Sequence, residues 1–338
     1  MFVFCRMHYL SPALILGENF QLPFDARTLQ RERKRWMAEL ELAGKDVAEV
    51  YGREMTKNEL IEYFEELQRG EIAAWHFALG GDAVLLRFLQ DGAIKPGARF
   101  KDSDLYNDPA FIAWLSPYFR NAFTRLVTQC FEEGDAPCMR TVLDNALLMT
   151  VNDQENAWLF INGILEKNIA WFDQYRQRPQ LHISRISAFV GHGYLEVIRQ
   201  LPDHRFGRTK DSFAFGMQHP AIALFNRDPK NRGIAIIWIE EALSLAVSPQ
   251  VKAKLQAKLD EMHGFLKKRA TKRKRRIISY AVLGVMFILS IISGDDSSVL
   301  FHAHTPAPSI FSSKSQLDSL RTDTIFVHPP PRDSAVVR

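Results

Sequence analysis

Apolar residues recur three and four apart along most of this chain, and one stretch departs from that spacing by being apolar throughout. At about 100° per residue, the first pattern puts hydrophobic side chains on one side of a helix and polar ones on the other. It predicts a highly charged helix over 26–43 with Leu29, Trp36 and Leu40 as a sparse stripe, and another over about 57–69. Thr56 and Glu59 make a T-x-x-E capping box ahead of the second, and Gly70 is read as its C-terminal stop. EIAAWHFAL and AVLLRFLQ, on either side of Gly80-Gly81, predict two short packed helices or one interrupted helix.

Asp108-Pro109 supplies an N-cap and a first-turn proline for the strongest helix, which carries Trp114, Leu115, Phe119, Phe123, Leu126, Val127 and Cys130 at helical steps. Further helices are expected near 138–150, 154–174, 183–201, 219–226 and 232–247, with an irregular aromatic stretch over 204–218. Pro249 opens a last helix with Leu255, Leu259 and Leu266 among charges, either continuous with the segment that follows or separated from it by Gly264. No run of period-two alternation bounded by hairpin turns stands out, so the expected fold class is an all-α, multi-helix body.

The departure begins with Lys267, Lys268, Arg269, Lys272, Arg273, Lys274, Arg275 and Arg276, which lead into IISYAVLGVMFILSIISG, a run without charge. As a helix, 277–294 would rise about 27 Å at about 1.5 Å per residue, close to the low end for a bilayer core. Tyr280 stands one turn inside the basic flank, where an interfacial aromatic anchor belongs, and Asp295 and Asp296 close the far side. Lys and Arg stay on the cytoplasmic side, so the expectation is a single-pass inner-membrane protein with a cytoplasmic N-terminal body and an extracytoplasmic tail. The tail, 295–338, is rich in Ser, Thr, Asp and Pro and is expected to be disordered.

Composition then narrows the function classes. The 338 residues are 46% hydrophobic and 24% charged, enough for a real core in one large or two modest units. The formal net charge is +4, but without the eight cations of 267–276 it becomes about −4, so no broad phosphate-binding surface remains and no nucleic-acid partner is expected. The basic run suits anionic lipid headgroups instead. MFVFCRMHYLSPALILGENF has one early cation, Arg6, and an apolar core broken by Pro12, so it is read as mature sequence and not as an export signal. Cys5, Cys130 and Cys138 form no CxxC pair and are expected to be free thiols. The expected divisions are an extended segment over 1–24, helical subdomains over 25–94 and 108–266 either side of a polar loop at 95–107, the basic run at 267–276, the membrane helix at 277–294 and the tail.

Motifs for phosphate loops, dinucleotide binding, zinc peptidases and serine hydrolases are missing from the sequence, and no cofactor or metal site is expected. Gly191-His192-Gly193-Tyr194 and Asp203-His204-Arg205 are the candidates for general-base chemistry near neutral pH, with His192 and His204 as the groups concerned. Glycines around a histidine also mark a helix break, which is the plainer reading of the first. Cys138 follows Asp135 and Pro137 at a helix start, where a thiol pKa can fall, although burial as a small apolar residue is the commoner outcome. Glu65-Glu66, Glu132-Glu133 and Glu240-Glu241 diverge by about 100° and are read as solvated faces.

IAIIWIEEALSLAVSP resembles the second helix of a tetratricopeptide repeat, with Ala235, Ile239 and Ala242 at matching steps and Pro249 about two residues late. That resemblance implies degenerate helical-hairpin repeats and protein binding. The expected function is a membrane-anchored scaffold or adaptor that recruits a protein partner at the cytoplasmic face. The competing expectations are a tethered enzyme built around His192 and His204, and a transmembrane signalling protein.

Overall fold

The computed structural model describes residues 9–16, 26–44, 46–50, 53–177, 186 and 189–292. The tail, Cys5, Asp295 and Asp296, and parts of the expected 1–24 and 183–201 segments lie outside the described residues. Helix dominates what is described. The chain divides into two compact units, Met1–Arg275 and Arg276–Arg338.

The first unit opens with a short turn of helix, α1 (Pro12–Leu16), where an extended segment was expected. Its buried Ile15 and Leu16 join Leu29 and Leu40 of α2 (Ala26–Ala43) in a small apolar core. Two strands follow, β1 (Val47–Val50) and β2 (Arg53–Thr56), paired antiparallel with Val47 opposite Thr56 and Val50 opposite Arg53. The sequence reading missed this hairpin because each arm is only four residues long, too few for a period of two to register. It completes the small core through Val50 and Met55, both buried. Thr56 then caps α3 (Lys57–Leu67) in the capping box its spacing foretold: its hydroxyl accepts from the Glu59 amide, and the Glu59 carboxylate accepts from the Thr56 amide. Gly70 does not stop this helix. The Gln68 amide bonds back to Glu65 and ends it, and Gly70 begins α4 (Gly70–Gly80).

From α4 onward one large core runs through the unit to Met262. The bend between α4 and α5 (Ala83–Asp91) is 102°, and it is fixed by Asp82, which caps α5 and accepts from the Lys101 amide and the Tyr106 hydroxyl. A buried carboxylate with four donors thus pins the 95–107 loop, which ends in a 3-10 turn at Asp104–Asn107, back onto the helix pair. Leu85, Phe88 and Leu89 before that loop and Phe111, Phe119 and Phe123 after it share the same core.

The long α6 (Pro109–Glu133) is central, as its periodicity foretold, with Phe111, Leu115, Phe119 and Phe123 fully buried. It packs on α5, α7 (Ala136–Asp144) and α8 (Val151–Gln177). Next come α9 (His192–Gln200) and α10 (Asp203–Arg227). The second replaces the expected irregular stretch and separate helix with one continuous helix that runs through Pro220. The aromatic spacing explains it: Phe206, Phe213, Met217 and Leu224 fall on one buried face against α8 and α11 (Arg232–Leu245). Gly216 permits the close crossing, since a Cβ there would sit 2.9 Å from Phe172. The last helix, α12 (Pro249–Ile292), passes unbroken through Gly264.

Candidate functional site

The feature that the core does not explain lies in α12. Val251, Leu255, Leu259, Met262 and Leu266 step by three and four and meet the large core, with Leu255 fully buried. After Leu266 the stripe ends. Lys267, Lys268, Arg269, Lys272, Lys274, Arg275 and Arg276 are all exposed, while the Arg273 side chain lies outside the described residues. At about 100° per residue these positions encircle the helix and do not line one side of it. No acidic residue occurs between Glu261 and Asp295, and among the described residues none of these cations has an ion pair; the last pair on the helix is Lys258 with Glu261. Among the described residues the collar therefore has no counter-charge.

The second unit begins at Arg276, and its described residues form the end of the same helix. Ile277, Ile278, Tyr280, Val282, Leu283, Val285, Met286 and Ile288 are all more than half exposed and also point to every side. A surface helix of a globule has one apolar stripe, and an apolar circumference needs an apolar surrounding. Among the described residues, no single helix is long and apolar enough to cross a membrane; the described apolar portion, Ile277 to Ile292, rises roughly 24 Å against about 30 Å of hydrocarbon. Ser293 and Gly294, which complete the stretch read from sequence, lie outside the described residues. The bent pair α4 and α5 passes the length and composition test together, but Ile72, Trp75, Leu79, Leu85, Phe88 and Leu89 are committed to the protein core.

The two histidines singled out by sequence are not brought together. Gly191 is the N-cap of α9, and Gly193 lies against the backbone of Gly134, whose φ of 72° ends α6; a Cβ on Gly193 would stand 3.1 Å from the Gly134 Cα. The two glycines around His192 are thus explained by a cap and a backbone crossing. The imidazole is largely exposed, with Nε2 3.8 Å from Glu196 and Nδ1 3.7 Å from Glu241. Arg199 bonds both of those carboxylates and the Ser244 hydroxyl, so they are already engaged in an ion-pair network joining α9 to α11. His204 lies exposed in the first turn of α10, and no hydrogen bond or ion pair among the described residues links it to His192. No group of metal-ligating side chains occurs among the described residues.

Cys138 is buried, as the commoner outcome for such a residue has it. Its thiol donates to the Ile94 carbonyl, and burial, the hydrogen bond to Asp135 and the nearby carboxylates push its pKa up to about 12. Cys130 is pushed up to about 12 as well, first by burial and then by Cys138. Neither thiol is positioned as a nucleophile.

One polar cluster was not anticipated. His76 is buried in a nest of Tyr9, Tyr63, Trp75, Trp114 and Tyr118, with Nδ1 bonded to the Tyr9 hydroxyl at 2.8 Å. Tyr63 donates to the Leu10 carbonyl, so both tyrosines tie the N-terminal strap to the helices beneath. Desolvation lowers the His76 pKa to about 3, keeping the ring neutral. WHF inside an apolar run was the available signal, since an imidazole amid core positions is buried with a partner or not at all.

No family model, no curated protein and no solved structure matches the chain.

Proposed function

We propose that this chain is a single-pass membrane-anchored scaffold or adaptor. In this reading the 277–294 helix crosses the inner membrane, the basic collar contacts anionic headgroups, and the helical body holds a protein partner at the cytoplasmic face. What carries it is the exposure, on every side of the helix, of the described apolar side chains between Ile277 and Ile288, directly after cations that have no ion pair among the described residues.

The all-round distribution also favours an upright helix over one lying in the interface, which would show an apolar face and a polar face. About ten residues of collar rise roughly 15 Å, on the scale of a headgroup layer, so cations on every side of an upright helix all meet phosphates. Tethering then raises the effective concentration of the body toward membrane partners without any further contact. Helices joined in succession by short turns, α10 to α11 among them, suit the degenerate helical-hairpin reading of the partner-binding body. The extracytoplasmic tail completes the topology.

Alkaline extraction of membranes from cells expressing the full chain tests the anchor: the chain is expected in the pellet, and its recovery in the supernatant overturns the proposal. Replacing His192 and His204 by alanine is expected to leave partner capture intact; loss of a catalytic phenotype with capture unchanged would favour the tethered-enzyme reading.

A further inference from the structure

A second surface on the first unit carries the same chemistry as the collar. On α2, Leu29, Glu32 and Leu40 are buried, and the opposite face is exposed. At about 100° per residue, Arg27, Arg31, Lys34, Ala38 and Leu42 fall within an arc of roughly 80° on that outer face, over about 22 Å of helix. Arg35 borders it. Arg31 bridges Glu32 at 3.6 Å, Arg35 bridges Glu32 and Glu39, and among the described residues Lys34 has no ion pair. The first ten residues of α2 hold five cations and one carboxylate, whereas 1–266 as a whole is net acidic. At the end of the same face Leu42 is 88% exposed. Beside it lies a shallow depression of about 330 Å³ lined by Gln30, Arg33, Lys34, Met37, Ala38 and Glu41.

We infer that the outer face of α2 is a second contact for anionic phospholipid headgroups. This rests on the membrane-anchored reading, because a patch of four cations gains occupancy chiefly from being held near the surface. Phosphates meet Arg27, Arg31, Lys34 and Arg35, and Leu42 enters the acyl boundary as apolar residues beside cations do on interfacial helices. The exposed leucine and the Met37 and Ala38 lining favour lipid over nucleic acid, whose phosphates would use the cations and leave those groups idle.

The full chain is reconstituted in phosphatidylcholine discs with and without phosphatidylglycerol, and amide hydrogen exchange is followed across 26–43. Slower exchange in the phosphatidylglycerol discs, erased by 0.5 M salt, is the expected result. At about fivefold per cation, Arg27→Glu, Arg31→Glu and Lys34→Glu together are expected to weaken the contact by about a hundredfold or more while the chain stays in the discs. Lys34→Ala alone, with an unchanged circular dichroism spectrum, gives a smaller loss and guards against misfolding. Equal exchange in both lipids overturns the inference and leaves the anchor standing, as does protection of α2 by added RNA in place of phosphatidylglycerol. Failure of the chain to enter discs of either lipid overturns both.

Discussion

Within α12, residues up to Leu266 and residues after Lys267 share one backbone conformation and face different surroundings. In the first stretch the apolar side chains stand three and four apart, and Leu255, Leu259 and Met262 are buried against the core. In the second, the described apolar side chains occupy every side of the helix and stay exposed. Backbone conformation does not separate the two. What separates them is whether the described protein offers a partner for the apolar surface, and cations with no ion pair among the described residues stand where the buried stripe ends. The comparison teaches that burial periodicity tells a stretch packed on the core from one that the described protein leaves uncovered.

Truncation gives the largest contrast. Leu255→Ala is expected to cost about 2–5 kcal/mol in urea unfolding of the full chain in detergent, and Val285→Ala less than about 0.5 kcal/mol; equal losses would break the distinction. Val285→Arg reverses the sense of the test: about 2.5–3.5 kcal/mol of insertion free energy should be lost, seen as a drop of about a hundredfold in membrane partition with little change in the fold of the body. Were the apolar stretch an orphaned core helix, partition would not respond.

A buried imidazole offers a subtler probe of the body. The folded His76 pKa lies at about 3 and the ordinary value is 6.5. The unfolded chain therefore binds the proton first, and stability is full above about pH 6.5 and falls as pH drops toward 3. The loss should reach about 2 kcal/mol by pH 5. His76→Phe should flatten that part of the curve in thermal melts at several pH values, and an unchanged slope would relocate its cause.

Gly193→Ala forces a Cβ toward the Gly134 backbone and is expected to cost about 1–3 kcal/mol, whereas His192→Ala, on an exposed side chain, should stay within about 0.5 kcal/mol. The reverse order would return chemistry to the imidazole. Thr56→Ala is expected to remove about 1 kcal/mol with the α3 cap.

Much of the fold was legible where local chemistry determines local structure. The Thr56–Glu59 capping box, the Asp108–Pro109 helix start and the α6 stripe all emerge as their residue types foretold. The four-residue strands and the Pro220 passage were not, because tertiary burial of Val50, Met55, Phe213 and Met217 outweighs weak local signals. The basic collar and the apolar run were plain in the sequence, and the structure adds that their described side chains are exposed. One of the two partners of His192 was hidden, since Glu241 comes from an element far along the chain. So was the Tyr9–His76 bond, which spans residues that only folding brings together.

Paired cysteine accessibility in reconstituted vesicles tests the central claim most directly. With Cys5, Cys130 and Cys138 replaced by alanine, Thr271→Cys in the collar should react quickly with a water-soluble maleimide, and Val285→Cys should react only after detergent is added. Equal rates at both positions in intact vesicles would contradict the account.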